Sequence, residues 1–429
     1  MDKITFDQLQ EELYYEKLEN GLDVYILPKK GFNKTYATFT TKYGSIDNHF
    51  LPPGKEEYVK VPDGIAHFLE HKLFEKEDGD VFQQFSKQGA SANAFTSFTR
   101  TAYLFSSTSN VEMNLETLID FVQDPYFTEK TVEKEKGIIG QEITMYDDNP
   151  DWRLYFGLIE NMFKNHPVKI DIAGTIESIS HITKDMLYEC YETFYHPSNM
   201  LLFIVGPVDP DQIMTQVRDN QSKKDYKEMP EIKRQFEGEP SEAAKKKKVL
   251  EMNVQTSKCL VGIKSSTANQ SGKEMLKNEL SLNVLLDILF GKSSEQYSTL
   301  YSEGLIDDTF SFDYTQEQGF GFAMVGGDTN DPDRLAETLQ KMLLDAREKG
   351  TISQETLDRT KKKKIGAFLR AVNSPEYIAN QFTRYAFNEM DLFDVVPTLE
   401  SITLEDVENA AGNLISEERF TVCQVVPKK

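Results

Sequence analysis

Two of the chain's six histidines fall in one pentapeptide, His67-Phe68-Leu69-Glu70-His71. On an α-helix successive residues turn by about 100°, so His67, Glu70 and His71 occupy a single arc of about 100°. Two imidazoles one turn apart can share one zinc ion, and the acid between them then stands beside the metal. Ile65, Phe68, Leu69 and Leu73 give the segment apolar neighbours, as a buried helix requires. A second pair of acids lies in Glu135-Lys136-Gly137-Ile138-Ile139-Gly140-Gln141-Glu142. Positions i, i+3, i+4 and i+7 share a helical face, and here they read Glu, Ile, Ile, Glu. Carboxylates on an apolar stripe are costly to bury unless paired or metal-bound. A zinc ion on the HxxEH helix still lacks a third protein ligand, and this stripe offers one.

The elements that must hold these residues follow from pattern and punctuation. Helices are expected at Gly64 to Lys76, Asn114 to Val122 and Thr131 to Met145, with Pro150 closing the last. Asn20-Gly21 predicts a tight turn into a strand at Leu22 to Leu27. A second strand is expected at Thr35 to Tyr43, and one or two more across the aromatic-rich stretch Ala92 to Ser106. ITKDMLYECYETFYHPSNMLLFIVGP, from Ile182, aligns without gaps on ITLEDVENAAGNLISEERFTVCQVVP, from Ile402, at an offset of 220. Both read as a Thr-capped helix leading into an apolar strand. Between the copies, residues 219–246 are polar and carry Pro230, Gly238 and Pro240, the composition of a linker. The expected organisation is a domain at 1–218 with the candidate metal site, a linker at 219–246 and a second, homologous domain at 247–429. The fold class is α+β, each domain a mainly antiparallel sheet packed with helices.

Composition narrows the function. Acids outnumber bases 70 to 48, a net charge of −22. That balance argues against nucleic-acid binding, which needs Lys and Arg in excess, and against docking on an anionic membrane. The runs Lys245–Lys248 and Lys361–Lys364 read as solvated surfaces in so acidic a chain. Three scattered cysteines, Cys190, Cys259 and Cys423, give neither a disulfide framework nor a thiolate metal site, and suit the cytoplasm. The first twenty residues lack the apolar core of a signal peptide. Gly319-Phe-Gly321 lacks the third glycine of a dinucleotide loop and reads as a strand, and no GxSxG motif occurs.

The HxxEH pentapeptide and the paired downstream acids resemble the inverted-motif zinc peptidases of the insulinase/pitrilysin family, in the branch similar to mitochondrial processing peptidase with half-length chains. Gly44-Ser45, Gly64-Ile-Ala66, Asn93-Ala-Phe-Thr96, His166-Pro167 and Phe194-Tyr-His-Pro-Ser-Asn199 stand where the family has similar motifs. The resemblance implies one zinc per chain, held by His67, His71 and Glu142. It implies Glu70 as the proton-transferring catalytic acid and base, and Glu135 as a catalytic-site acid orienting a ligand or the base. Asn93 and Ala94 would lie on a strand whose edge receives the peptide substrate. The two domains would make half of a clamshell chamber. One departure stands out. The family completes its site with an Arg and a Tyr from the second half of the chain, but here Leu300 or Tyr301, and then Asp307, occupy those places. A heterodimer with a homologous chain lacking HxxEH but carrying the Arg/Tyr pair is therefore expected, with a homodimer as the alternative. The competing functions are a non-catalytic assembly subunit and a peptide-binding module with a vestigial metal.

Overall fold

A computed structural model describes residues 1–267, 269–348 and 352–428. The residues gather into two compact units. One comprises Met1–Ile143, Ile170–Phe236 and Ala371–Phe387; the other comprises Thr144–Lys169, Glu237–Arg370 and Asn388–Lys429.

The first unit is built on a seven-stranded sheet. Its strands are β1 (Asp2–Phe6), β2 (Glu11–Lys17), β3 (Asp23–Pro28), β4 (Thr35–Thr41), β5 (Ala90–Thr96), β6 (Thr101–Ser107) and β7 (Met200–Gly206). They are ordered β1-β2-β3-β7-β4-β6-β5. The β2/β3 hairpin pairs Lys17 with Asp23 across a turn in which Gly21 has φ 89°, a backbone that suits glycine. The second unit carries β8 (Lys247–Met252), β9 (Ser257–Lys264), β10 (Ser311–Glu317), β11 (Phe320–Thr329) and β12 (Phe420–Pro427), ordered β8-β12-β9-β11-β10.

The two five-strand cores share one topology. β7 lies parallel to β3 and antiparallel to β4, and β12 lies parallel to β8 and antiparallel to β9. Ahead of these central strands run helices at Lys184–Phe194 and Leu404–Leu414, capped by the hydroxyls of Thr183 and Thr403. Single 3₁₀ turns follow at Pro197–Asn199 and Glu417–Arg419. Each of these elements begins at the offset of 220 that relates the two sequence copies. Both domains are thus mainly antiparallel sheets packed with helices, as expected.

The compact units do not follow a single cut at the linker. The helix Pro150–Met162, which precedes residue 218, packs on β9 and β12 of the second unit. The helix Pro375–Phe387, from the other end of the chain, packs on β4 and β7 of the first, with Phe382 against Tyr25 and Phe203. Each half lends a helix to the other half's sheet. The linker is also not featureless: Lys233–Arg234 pairs with Phe50–Leu51, and Arg234 bonds the buried Asp47 carboxylate at 2.6 Å.

One helix matters most, α1 (Ile65–Leu73). Gly64 starts it with φ 90°, and a Cβ there would stand 2.3 Å from the Ala173 carbonyl oxygen. Gly64→Ala is expected to cost about 1–3 kcal/mol, through backbone strain and that clash. Thermal unfolding checks it, with Gly31→Ala, where a Cβ meets nothing within 4 Å, as the near-neutral control.

Candidate active site

α1 is held from below by its apolar stripe. Ile65, Phe68, Leu69 and Leu73 are buried, so the helix cannot roll. That fixes His67, Glu70 and His71 along one flank, where His67 is 9% exposed and Glu70 8%. A second helix, α2 (Glu129–Asp147), supplies the facing acids. Its buried positions are Val132, Glu135, Ile139 and Ile143. The expected stripe therefore holds at Glu135 and Ile139 but fails at Ile138, which is 45% exposed. Ile138 lies about 100° round the helix from Ile139, and the contact face is narrower than the sequence pattern allowed.

Three donors converge. His67 Nε2 lies 3.8 Å from Glu142 Oε1, and His71 Nε2 lies 3.6 Å from Glu142 Oε2. One donor atom each from His67, His71 and Glu142 falls within 4.8 Å of the others, the one such group of three among the described residues. Donors about 2.0–2.2 Å from a tetrahedral ion stand roughly 3.3–3.6 Å apart, so a small contraction would close this set on zinc. Two imidazoles and one carboxylate also match the donor chemistry of catalytic zinc, which leaves a fourth position open. Of the two downstream acids, Glu142 meets both histidines. Glu135 instead bonds the far side of one: its Oε1 lies 3.1 Å from His71 Nδ1.

The protonation states suit those positions. Burial, aided by the neighbouring His71, pushes His67 down to about 4, so its imidazole is neutral with a lone pair to offer. Burial would lower His71 as well, but its bond to Glu135 and the nearby carboxylates raise it. Burial works against ionisation of Glu135, yet the His71 bond and the charges of His71 and Lys72 hold it below the ordinary carboxylate range. Glu70 is the contrast. Burial lifts its carboxyl above the ordinary range, only partly offset by the Thr96 hydroxyl, which donates to Glu70 Oε2 at 2.6 Å.

Thr96 ends β5, and β5 is the last strand of its sheet, paired on one side only, with β6. No further strand pairs with its outer edge among the described residues, which leaves that edge open beside the site. Asn93 and Ala94 lie on this strand, and the Asn93 side-chain oxygen accepts from the Ala94 amide at 2.9 Å. A cavity of about 660 Å³ joins the parts: Glu70, His71, Asn93, Ala94, Glu135 and Ile138 all line it.

Two residues had no role assigned from sequence. Thr96 was visible only as part of a motif. Lys72 follows His71 and is fully buried. Ile65, Phe68, Leu69 and Lys72 stand at i, i+3, i+4 and i+7, so the apolar stripe itself was the available signal. In the second unit, Leu300 is 1% exposed and packed in the core, whereas Tyr301 is 51% exposed and stacks on Tyr297. Asp307 accepts from the Thr309 hydroxyl at 2.6 Å. No helix among the described residues is long and apolar enough to cross a membrane.

An HxxEH helix closed by a glutamate from a second helix, on a duplicated α+β framework, is the arrangement of an inverted-motif metallopeptidase. Residues 59–176 match the profile of the insulinase family, peptidase family M16, and residues 181–364 match that of the M16 inactive domain. The chain is 73% identical over 425 residues, 99% of each sequence, to YmfH of Bacillus subtilis, named an uncharacterized zinc protease. It is 26% identical to a second such protein of that organism, YmxG, over 86% of this chain and 90% of the other. The crystal structure of an M16-like peptidase from Alicyclobacillus acidocaldarius superimposes with a TM-score of 0.94 at 41% identity, covering 97% of this chain and 99% of that one. The chain belongs to the insulinase family of peptidases, M16.

Proposed function

We propose that the protein is a zinc metalloendopeptidase that hydrolyses short or unstructured peptides. As an M16 member it is a zinc-dependent peptidase; the endopeptidase action and the substrate class are the finer reading. The observation that carries the reading is the His67/His71/Glu142 donor group beside a cavity that its member His71, the buried Glu70 carboxyl and the open strand edge at Asn93 and Ala94 all line.

In this reading His67, His71 and Glu142 hold the ion. A zinc ion held by them would supply Lewis acidity, the chemistry that lowers the pKa of a water and polarises a carbonyl. The peptide adds as a further strand at the β5 edge, with Asn93 and Ala94 giving main-chain bonds. Glu70 takes the proton from the attacking water and delivers it to the departing amine. Burial makes Glu70 a weaker acid than an ordinary carboxyl, which suits both directions, since such a group accepts a proton more readily and can still release it. Thr96 fixes which oxygen of Glu70 faces the reaction. Glu135 orients His71 through Nδ1, leaving Nε2 turned toward Glu142. The three buried free cysteines fit a cytoplasmic location.

A second reading is a non-catalytic or assembly subunit, or the peptide-binding partner of a two-chain peptidase. Leu300 or Tyr301 in place of the Arg, and Asp307 in place of the Tyr, favour it, and the donor set with Glu70 in place weighs against it. Hydrolysis of an internally quenched, unstructured peptide separates the two. A zinc chelator is expected to abolish cleavage, and one equivalent of zinc to restore it. Zinc analysis is expected to find one ion per wild-type chain and almost none in His71→Ala; undiminished zinc in that variant refutes the ligand assignment. Glu135→Gln is expected to weaken zinc binding about 10–100-fold, the range for a residue that orients a ligand. Glu142→Gln should weaken it more. Equal losses in competition titrations would make Glu135 a ligand itself.

A further inference from the structure

Lys72 is the fully buried charge that the mechanism above leaves unused. It sits on the packed stripe of α1, directly after His71. Its ammonium is paired with Glu75, three residues on, and lies 3.9 Å from Glu135 Oε2. Space filling does not account for it. A buried ion pair is commonly no more stabilising than apolar side chains of the same volume, so methionine would fill this position as well.

The geometry around Glu135 points to a task. The carboxylate divides its two oxygens: Oε1 faces His71 Nδ1 at 3.1 Å, and Oε2 faces Lys72. The Lys72 charge, a long ion pair rather than a hydrogen bond at 3.9 Å, favours the rotamer in which Oε2 faces it and Oε1 faces His71. The carboxylate then presents Oε1 as the acceptor to His71, whose Nε2 faces Glu142 Oε2 at 3.6 Å. The chain of contacts runs Glu75, Lys72, Glu135, His71, Glu142.

We propose that Lys72 is a positioning residue for the metal ligand His71, acting through Glu135. The proposal rests on the zinc reading of the site and adds a residue to it. Lys72 touches neither substrate nor metal; its ammonium beside Glu135 Oε2 keeps that carboxylate aimed at His71 Nδ1.

The test is zinc affinity, measured in the full chain by competition with a chromophoric chelator, alongside thermal unfolding of the metal-free protein. Lys72→Met should weaken zinc about tenfold, at the low end for a group acting behind a ligand. In a Glu135→Gln background, Lys72→Met should weaken it by no more than about twofold further, because residues that act in series do not add. Glu75→Gln should leave zinc affinity at or above the wild-type value, since it frees Lys72 for Glu135. It also serves if Lys72→Met fails to fold. Wild-type affinity in Lys72→Met overturns the proposal, even with a lowered Tm, and so does a full tenfold loss added to that of Glu135→Gln. A tenfold loss in Glu75→Gln overturns it too, by showing that any disturbance here loosens the site. A wild-type chain that binds no zinc refutes the zinc reading itself, which is a different result from all of these.

Discussion

Glu70→Gln is expected to bind zinc as the wild type does, to keep its fold, and to lose about 10²–10⁴-fold in kcat. That loss corresponds to roughly 2.7–5.5 kcal/mol of transition-state stabilisation. The amide keeps the size of the acid and can still bond the Thr96 hydroxyl, so packing around α1 is preserved. Only the capacity to take a proton disappears. The loss should fall on kcat with KM little changed, because Glu70 is assigned to proton transfer rather than to binding peptide. Thr96→Val makes a graded companion. It removes the hydroxyl donated to Glu70 Oε2 at 2.6 Å while leaving the carboxyl in place. A fall of about tenfold is expected there, the scale of one lost hydrogen bond to a charged group. Steady-state kinetics on a quenched peptide give both values. Hydrolysis by Glu70→Gln within about tenfold of wild type would remove Glu70 from the chemistry.

The candidate metal site was legible in the sequence because ligation imposes spacing. His67 and His71 must stand one turn apart on a helix, and that requirement is local. That one of the acids Glu135 and Glu142 faces the site was legible for a different reason, since an acid on an apolar stripe needs a partner; the choice of Glu142 came from the family resemblance. The stripe was read one residue too wide at Ile138, since periodicity marks the centre of a buried face better than its margin. The duplicated sheets were legible in the 220-residue offset, where Thr183 and Thr403 cap matching helices. The exchange of helices was not. Pro150–Met162 and Pro375–Phe387 each carry an apolar face, but no local pattern says which sheet that face will cover. β1 escaped notice because four of its five residues are exposed, so it lacks the alternation that marks a half-buried strand. Lys72 escaped because a lysine is ordinarily read as surface, and its partners Glu75 and Glu135 become neighbours only when α2 packs beside α1.

Mixing this chain with a homologous chain that lacks HxxEH but carries the Arg and Tyr is expected to raise peptide hydrolysis by orders of magnitude. The argument begins at the reacting carbonyl. Negative charge develops on its oxygen during attack, and loss of one well-placed donor for such an oxyanion costs about 10²–10³-fold in kcat. The insulinase-family pattern places an Arg and a Tyr there, and this chain has Leu300 or Tyr301, and then Asp307, at those positions. Leu300 is a core residue at 1% exposure, the Tyr301 ring stacks on Tyr297, and Asp307 carries the wrong charge. A partner that supplies the pair while this chain supplies His67, His71, Glu142 and Glu70 divides one site between two chains. The acidic surplus of −22 further favours cationic peptides in such an assembly at low ionic strength. Three outcomes follow from that division. Activity should rise with partner concentration and saturate at one partner per chain. Replacing the partner's Arg with Ala should remove most of the gain. Glu70→Gln in this chain should abolish it, whatever partner is added. Full-rate cleavage by the isolated chain, as a monomer or a homodimer, would refute the two-chain site and leave a single chain that stabilises its oxyanion by other means.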